Sequence, residues 1–428
     1  MHQHRANPTR PIALLSRLAL TLNMSLGLGY VGLWVMLALQ GQFWRADFSS
    51  YYAGWSIVRD GQGNRLYDLD LQAHYQRQIL EEGGFQGGVL PYLNPPYVAL
   101  PFVPLTWLPR PVAFLVWTGG QVALLAWLLR LLHTFARSWS RDERWLMLSS
   151  VVAFPPLFVT GLLGTFSLLI LVCVVQWYLA LKNHREVRAG LWFTLGTVKP
   201  QLLLMPGVML LGARRWRTLG AALLAGSVLV VISGILVGWQ SWPGFVHLIR
   251  MVNDIYGDIG IVPTVMYNLK GTLALMLGNE RGALINQIST GVLALVSVAI
   301  LVLWRGPWQP DPPRFDLYLA LTLLAGLLFL PHLNPHDGLL LVAPAVLFYH
   351  YLRQHLRPRG WYAAFALSCP WLFLVGEFTV GGNLGIRIPV IAMGVLLGWM
   401  AKEVLRKTRN QLPAAAEREA EREAEEAP

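Results

Sequence analysis

The sequence predicts an all-α integral membrane protein, and three observations predict it. Of the 428 residues, 55% are hydrophobic and 13% are charged, about half the charge of an ordinary soluble domain. The apolar residues fall in long runs, and at roughly 20 residues per crossing the length allows a polytopic bundle of about 10–12 transmembrane helices. The 34 Lys and Arg outnumber the 23 Asp and Glu, for a net charge of +11. They cluster in short segments between the apolar runs, which is how membrane topology is written, not how a nucleic-acid stripe is built. Eighteen Trp suit rings that sit at the headgroup layer. A water-soluble enzyme, a disordered chain and a nucleic-acid partner are thereby excluded. Cys173 and Cys369 each lie inside an apolar run and give neither a disulfide framework nor metal-ligand spacing.

Taken in order, Arg5, Arg10 and Arg17 precede the apolar run 18–39. The run is too long for a signal-peptide core and Ala38-Leu39-Gln40 is a poor cleavage site, so an uncleaved first span is expected. Further spans are expected at 111–132, 145–160, 164–181, 219–237, 284–304, 315–330, 338–351, 361–375 and 388–400. Between Arg188 and Arg214 an apolar stretch is interrupted by Lys199-Pro200. Basic residues at both ends predict a broken helical hairpin that enters and leaves on one side, its irregular backbone enclosed by protein or water.

With the amino terminus inside, 24 of the 34 Lys and Arg fall on the cytoplasmic side, as the positive-inside bias requires. Both termini are therefore expected in the cytoplasm of a cell whose inner (plasma) membrane the chain spans. The expected organisation is a cytoplasmic start at 1–17, a membrane domain at 18–403 and a charged tail at 404–428 that ends in an acidic, low-complexity stretch. Two long outer loops, about 41–96 and 238–282, remain. In the first, Leu71, Tyr75 and Ile79 repeat every four residues, which predicts an amphipathic helix on the membrane surface.

Polar residues of unusual placement collect on this outer side. Asp47 follows the first span and precedes Phe48-Ser49-Ser50-Tyr51-Tyr52. A carboxylate there can accept a proton from a hydroxyl at the bilayer surface, and it can equally cap a helix starting at Phe48. Lys199, deep in an apolar stretch, costs a few kcal/mol unless paired or wetted, which makes it a functional candidate or a snorkelling side chain. In Pro331-His332-Leu333-Asn334-Pro335-His336-Asp337, Asn334 as cap, Pro335 at the first position and Asp337 at the third form a helix start. The two histidines are left over; His336-Asp337 can hold a phosphate or a sugar hydroxyl, and a metal there would need a third ligand. Arg387 beside Gly381-Gly382 adds an outer cation, and Asn94-Pro95-Pro96 closes the first loop in extended form.

These residues together resemble a family. Asp47-Phe48-x-x-Tyr51-Tyr52, Leu66-Tyr67-Asp68, Asn94-Pro95-Pro96 before Pro104-Leu105-x-x-Leu108-Pro109, Lys199-Pro200-Gln201 and His336-Asp337 are similar, in order and placement, to the polyprenyl-phosphate-mannose-dependent mannosyltransferases of glycosyltransferase family 87. The resemblance implies a GT-C-type helical bundle and transfer of a hexose, mannose by analogy, from a polyprenyl-phosphate donor to a lipid or glycan acceptor outside the cytoplasm. It implies Asp47 as general base, Lys199 as a donor-phosphate contact and His336 with Asp337 in support. His332 and Arg387 are added as phosphate contacts, and Tyr51, Tyr52, Asn94, Gln201 and Asn334 as pocket residues. The chain departs from the family pattern at Gly164-Thr165-Phe166-Ser167, where Gly-Gln and a small polar residue are expected. One carboxylate suffices for an inverting displacement, and protein cations can meet a monophosphate, so no metal or other cofactor is expected. The expected partners are donor, acceptor and membrane lipids. A transporter or lipid-linked sugar flippase with Lys199 as a midplane site, and a non-catalytic partner in envelope assembly, stay open at this stage.

Overall fold

The computed structural model describes residues 10–40, 47–80, 89–254, 263–306, 308, 313–356, 370, 371, 373, 374 and 387–409. Among them every regular element is a helix: α1 (Arg10–Leu39), α2 (Asp47–Arg59), α3 (Leu69–Leu80), α4 (Arg110–Phe135), α5 (Arg141–Val152), α6 (Pro155–Leu163), α7 (Ser167–Lys182), α8 (Glu186–Gly196), α9 (Leu204–Gly212), α10 (Trp216–Leu236), α11 (Ser241–Asp254), α12 (Leu269–Leu277), α13 (Gly282–Leu303), α14 (Pro313–Phe329), α15 (Val342–Leu356) and α16 (Ile388–Arg409). The all-α, polytopic membrane reading holds. Among the described residues five stretches are long and apolar enough to cross a bilayer, within α1, α4, α10, α13 and α16; α5 and α6, bent by 41° at their junction, make a sixth if taken as one span. The larger number expected from the sequence is approached only by counting shorter helices. The reason is visible in α7, where 13 of 16 residues are buried: its apolar run packs against protein rather than lipid, and a helix so enclosed need not match the bilayer thickness. The segment expected to span at 361–375 lies almost wholly outside the described residues, as do Cys369, Gly381-Gly382 and the acidic tail.

The long helices present apolar side chains outward; Leu223, Leu224, Ile235 and Leu236 of α10 are all exposed, the surface a lipid-facing helix needs. The inner layer is α7, α14 and α15 with the 3-10 segment Pro335–Leu341, which packs on α6, α7, α14 and α15. The expected hairpin is present. α8 packs on α7 and α10, while α9 packs on α13 and α14, and a 3-10 turn, Pro200–Leu203, separates them. Its two ends meet: Arg215 Nη1 donates to Glu186 Oε1 at 2.7 Å, and Thr218 Oγ1 donates to Glu186 Oε2. Entry and exit therefore share one side. α8 and α10 approach so closely at Gly190 that a Cβ there would lie 2.6 Å from Ala221 Cβ and from the Thr218 carbonyl, a spacing only glycine permits.

The opposite end of α14 from His332 is clamped by buried charge. Asp316 accepts from Tyr178 Oη at 2.9 Å and Lys182 Nζ at 3.3 Å, and Glu143 accepts from Tyr349 Oη at 2.7 Å and Arg353 Nε at 3.2 Å. Such pairs remain stable only with both partners in place.

The first long connection contains the expected helix, α3, and its buried side is polar. The buried face of α3 carries Gln72, Ala73 and Gln76, with Leu71 and Tyr75 only half-buried; the Ile79 side chain lies outside the described residues. Gln72 donates to the Leu66 carbonyl at 2.7 Å and accepts from Tyr92 N at 2.8 Å. Gln76 donates to the Leu90 carbonyl at 2.6 Å and accepts from Leu90 N at 3.0 Å. Two glutamines one turn apart thus satisfy an extended stretch of backbone that has no strand partner. The amides take the protein-facing side of α3, while Leu71 and Tyr75 of the apolar repeat stay half-buried.

Candidate active site

Asp47 opens α2, and the helix is held by its aromatic side. Phe48 packs edge-on to Phe114 at 5.0 Å and Trp55 at 5.8 Å, and Tyr51 lies 4.9 Å from Phe166. All four of Phe48, Tyr51, Trp55 and Phe166 are buried. A helix fixed this way aims its first residue, since the terminal side chain has little freedom once the turn behind it is packed. The Asp47 carboxylate stays partly open, with 24% side-chain exposure, and its Oδ2 stands 3.9 Å from His336 Nδ1.

Lys199 is presented by the break itself. α8 ends at Gly196, and Lys199 (φ −126°, ψ 87°) precedes Pro200, which starts the 3-10 turn because it lacks the N–H that would continue α8. The chain just before it is tied down from the first long connection. Asn94 Nδ2 donates to the Val198 carbonyl at 3.0 Å, and Tyr97 Oη donates to the Thr197 carbonyl at 2.8 Å. Tyr67 Oη in turn donates to the Asn94 carbonyl at 2.5 Å. Asn94, expected in the pocket, is a buried brace behind Lys199. Gln201 is half-buried one residue beyond Pro200, and its carbonyl accepts from Leu204 N.

The third component is the 3-10 segment Pro335–Leu341. Pro335 opens it as expected, but Asn334 caps with its backbone: its carbonyl accepts from Asp337 N at 2.9 Å, and its side chain makes no cap bond. In the tighter 3-10 winding the carbonyl already reaches the third residue. His336 and Asp337 are buried at 3% and 4% exposure.

These parts converge. Lys199 Nζ donates to Asp337 Oδ1 at 2.8 Å and stands 3.0 Å from His336 Nε2. Ser167 Oγ also donates to Asp337 Oδ1 at 2.8 Å, and Thr160 Oγ1 donates to the His336 carbonyl at 3.3 Å. An ammonium has no acceptor to offer, so His336 Nε2 accepts and the imidazole proton resides on Nδ1, a tautomer assigned from the network. That N–H has no hydrogen-bond partner among the described residues and faces Asp47. Burial, opposed by Asp337 and reinforced by Lys199, holds the His336 pKa below its ordinary value, so the ring is neutral. Burial pushes the Asp337 carboxyl up, but Lys199 and His336 with the hydrogen bonds from Lys199 and Ser167 outweigh it and hold its pKa low. Asp337 is the fixed anion that orders Lys199.

The second long connection adds cations beside this group. Tyr267 N donates to the Leu333 carbonyl at 2.8 Å, and Asn268 caps α12 through Gly271 N at 2.8 Å while donating to the Leu330 carbonyl at 2.7 Å. This seats Lys270, which is buried at 2% exposure, within electrostatic reach of His332. Burial first, then Lys270 and Lys199, push the His332 pKa down to about 4, with Asp337 opposing. Arg387 donates to the Thr264 carbonyl at 2.9 Å and lies 5.7 Å from the Tyr267 ring, so it buttresses the same connection. Tyr52 does not join the group. Its Oη donates to the Leu108 and Thr106 carbonyls at 2.9 and 3.2 Å on the other face of α2.

Among the described residues no three His, Cys, Asp or Glu side chains are arranged to hold a metal. Two participants went unread in the sequence. Ser167 lies in the segment that departs from the family pattern, where it supplies the small polar hydroxyl after all. Lys270 is the sole charged residue between Asp258 and Glu280, a signal that was there to be used.

A helical membrane fold gathers carboxylate, imidazole and lysine where a broken hairpin meets two long connections, and the family it falls in makes it a membrane glycosyltransferase. The chain belongs to glycosyltransferase family 87, whose model matches residues 92–331. It is also similar to a polyprenol-phosphate-mannose-dependent alpha-(1-2)-phosphatidylinositol pentamannoside mannosyltransferase of Mycolicibacterium smegmatis (strain ATCC 700084 / mc(2)155), with 26% identity over 331 residues, 73% of this chain and 77% of the relative. No solved structure matches it. The family match contains Lys199, Asn94 and Ser167 and stops short of Asp47 on one side and of His332, His336 and Asp337 on the other; contacts in three dimensions join them.

Proposed function

We propose that the chain transfers a hexose, in the first instance mannose, from a polyprenyl monophosphate donor to a lipid-linked acceptor, with the site on the extracytoplasmic face, both termini cytoplasmic and Asp47 as general base. In this reading the acceptor hydroxyl oxygen attacks the anomeric carbon while Asp47 takes its proton. The bond from that carbon to the phosphate oxygen breaks with its electron pair moving to the phosphate, and the configuration inverts. A single displacement needs one base and no glycosyl-enzyme intermediate. Lys199, held by Asp337, meets the charge growing on the leaving phosphate, with Lys270 and Arg387 completing the cationic side and the neutral His332 offering a hydrogen bond. Preorganised charge of this kind costs no rearrangement during the reaction. The neutral His336 offers its Nδ1–H toward Asp47 and so can steady the carboxylate without taking its proton-accepting capacity.

The observation that carries the reading is the convergence of Lys199, His336 and Asp337 from distant parts of the chain beside Asp47. A second feature supports the lipid-linked donor. An apolar groove of about 430 Å³ is lined by Leu341, the last residue of the segment that bears His336 and Asp337, by Val342, and by Tyr349, Met393 and Trp399. Prenyl carbons beside the phosphate site would be buried there at about 0.8 kcal/mol per CH₂.

Reconstituted protein supplied with polyprenyl-phosphate mannose and a membrane glycolipid extract should give product of inverted anomeric configuration. Lys199→Met should raise the donor KM by at least about tenfold, the effect of about 1.4 kcal/mol of lost charge-assisted contact, with the acceptor KM little changed. The reverse ranking would remove Lys199 from the donor site.

A further inference from the structure

A second, polar cleft is used by none of the chemistry above. It has a volume of about 580 Å³ and lies where α2, α3 and the start of α4 meet, lined by Ser56 and Arg59 of α2, by Asp60 just after it, by His74 and Gln78 of α3, and by Arg110. We propose that this cleft binds the oligosaccharide headgroup of a membrane-tethered glycolipid acceptor, several sugar units from the hydroxyl that reacts. The inference rests on the transferase reading above and adds a site to it.

Three observations carry it. The first is position. Asp47 and Arg59 are twelve residues apart on one helix, about 18 Å at 1.5 Å per residue, and Tyr52, Ser56 and Arg59 lie on the face turned away from Asp47 and Tyr51. A chain of a few hexoses has that length. The second is height. The cleft opens beside Arg110, where the α4 span begins, and next to Trp107, which is 72% exposed as an interfacial ring would be. The headgroup of a glycolipid occupies this layer.

The third is the chemistry of the lining. Arg59 is already paired, its Nε and Nη2 donating to the Asp60 carboxylate at 2.7 and 3.2 Å and its Nη1 to the Thr106 carbonyl at 2.7 Å. Arg110 Nη2 donates to the Gln78 carbonyl at 3.2 Å. The Arg59 guanidinium is thereby engaged at all three nitrogens and presents no open fork to a phosphate. What the cleft offers instead is a mixed set of donors and acceptors in fixed positions around the Tyr75 ring: Tyr75 Oη donates to Asp60 at 2.9 Å and accepts from Gln62 Nε2 at 3.1 Å, and His74 faces Gln78 Nε2 at 3.0 Å. Side chains that hold one another so leave their remaining lone pairs and protons aimed at hydroxyls, with an aromatic wall for the apolar face of a sugar.

The test is saturation-transfer NMR on the full chain in nanodiscs, with di- to pentasaccharides of mannose, glucose and galactose as probes. Wild type should saturate one series from the trisaccharide upward. The exposed His74 and Gln78 allow His74→Ala/Gln78→Ala to keep the wild-type melting temperature, and this variant and Asp60→Asn should each bind about tenfold more weakly, the loss of roughly one charge-assisted or two neutral hydrogen bonds. In turnover the same variants should raise the KM for a glycolipid bearing several sugars and leave that for a single-sugar acceptor unchanged. Asp47→Asn should bind the oligosaccharide like wild type, so a failure of the base assignment and a failure of the cleft are told apart. Absence of binding by wild type, binding indifferent to the cleft variants, loss only in Lys199→Met, or saturation of inositol phosphate in place of the sugars would each overturn the proposal.

Discussion

Asp337 and Lys199 make a pair whose energetics can be worked from the structure and tested by a double-mutant cycle. Nζ and Oδ1 are 2.8 Å apart, with side chains 12% and 5% exposed. At an effective dielectric constant near 20 the attraction is about 6 kcal/mol, and it is offset by several kcal/mol of lost hydration per ion, so the intact pair adds little net stability. Removing one partner is another matter. Asp337→Asn keeps the shape and still accepts from Ser167, but leaves a buried ammonium with no counter-charge, and a cost of about 3–5 kcal/mol follows. Lys199→Met strands the carboxylate and should cost about the same. The double variant contains neither charge, so its loss should fall short of the sum by about 2–3 kcal/mol. Denaturant or thermal unfolding of the four proteins in one detergent measures this. Additive losses would mean that Lys199 and Asp337 do not act on one another, and the ordering role given to Asp337 would fall.

Two further expectations follow from the same group. Because folding depresses the His336 pKa from 6.5, the unfolded chain binds the extra proton first; this contribution to stability is complete above about pH 6.5 and is lost as pH falls toward the folded value. Turnover should share that acid limb, since a protonated ring cannot accept from Lys199, and Lys199→Met should move the limb to higher pH; a limb centred above 6.5 in the wild type would contradict the neutral imidazole. Chelation with excess EDTA should leave transfer rates within about twofold of untreated enzyme, as expected where protein cations rather than a metal meet the phosphate charge, and a loss restored by a divalent cation would refute this.

Much of the fold was legible because lipid and buried protein both demand apolar helices. The span α10 could be read off its run of Leu, Val and Ile, and Lys199-Pro200 announced the break through the cost of a buried cation and a missing N–H. The same signal does not tell lipid from protein as the neighbour: α7 is as apolar as a span yet is wrapped by other helices. At the site, Asp47, Lys199 and His336-Asp337 stood out as charges in the wrong solvent. What could not be read was their mutual distance: 137 residues separate Lys199 from His336, and nothing local encodes that the hairpin break and the 3-10 segment Pro335–Leu341 meet. Ser167 was hidden for a related reason, and Asn94 was picked out but not as a brace: both are ordinary small polar residues whose role is fixed only by the partner that folding brings. Tyr52 shows the converse: adjacent to Tyr51 in sequence, it is turned by the helix to the other face.

In the proposed reaction Asp47 removes the acceptor proton. Its most direct measurement is single-turnover transfer by Asp47→Asn against wild type at saturating donor, with expression, melting temperature and donor affinity compared in parallel. The account predicts a loss of at least about 10²-fold in the transfer step, the scale of a missing general base, with donor affinity retained. Near-normal transfer by the well-folded variant would contradict it.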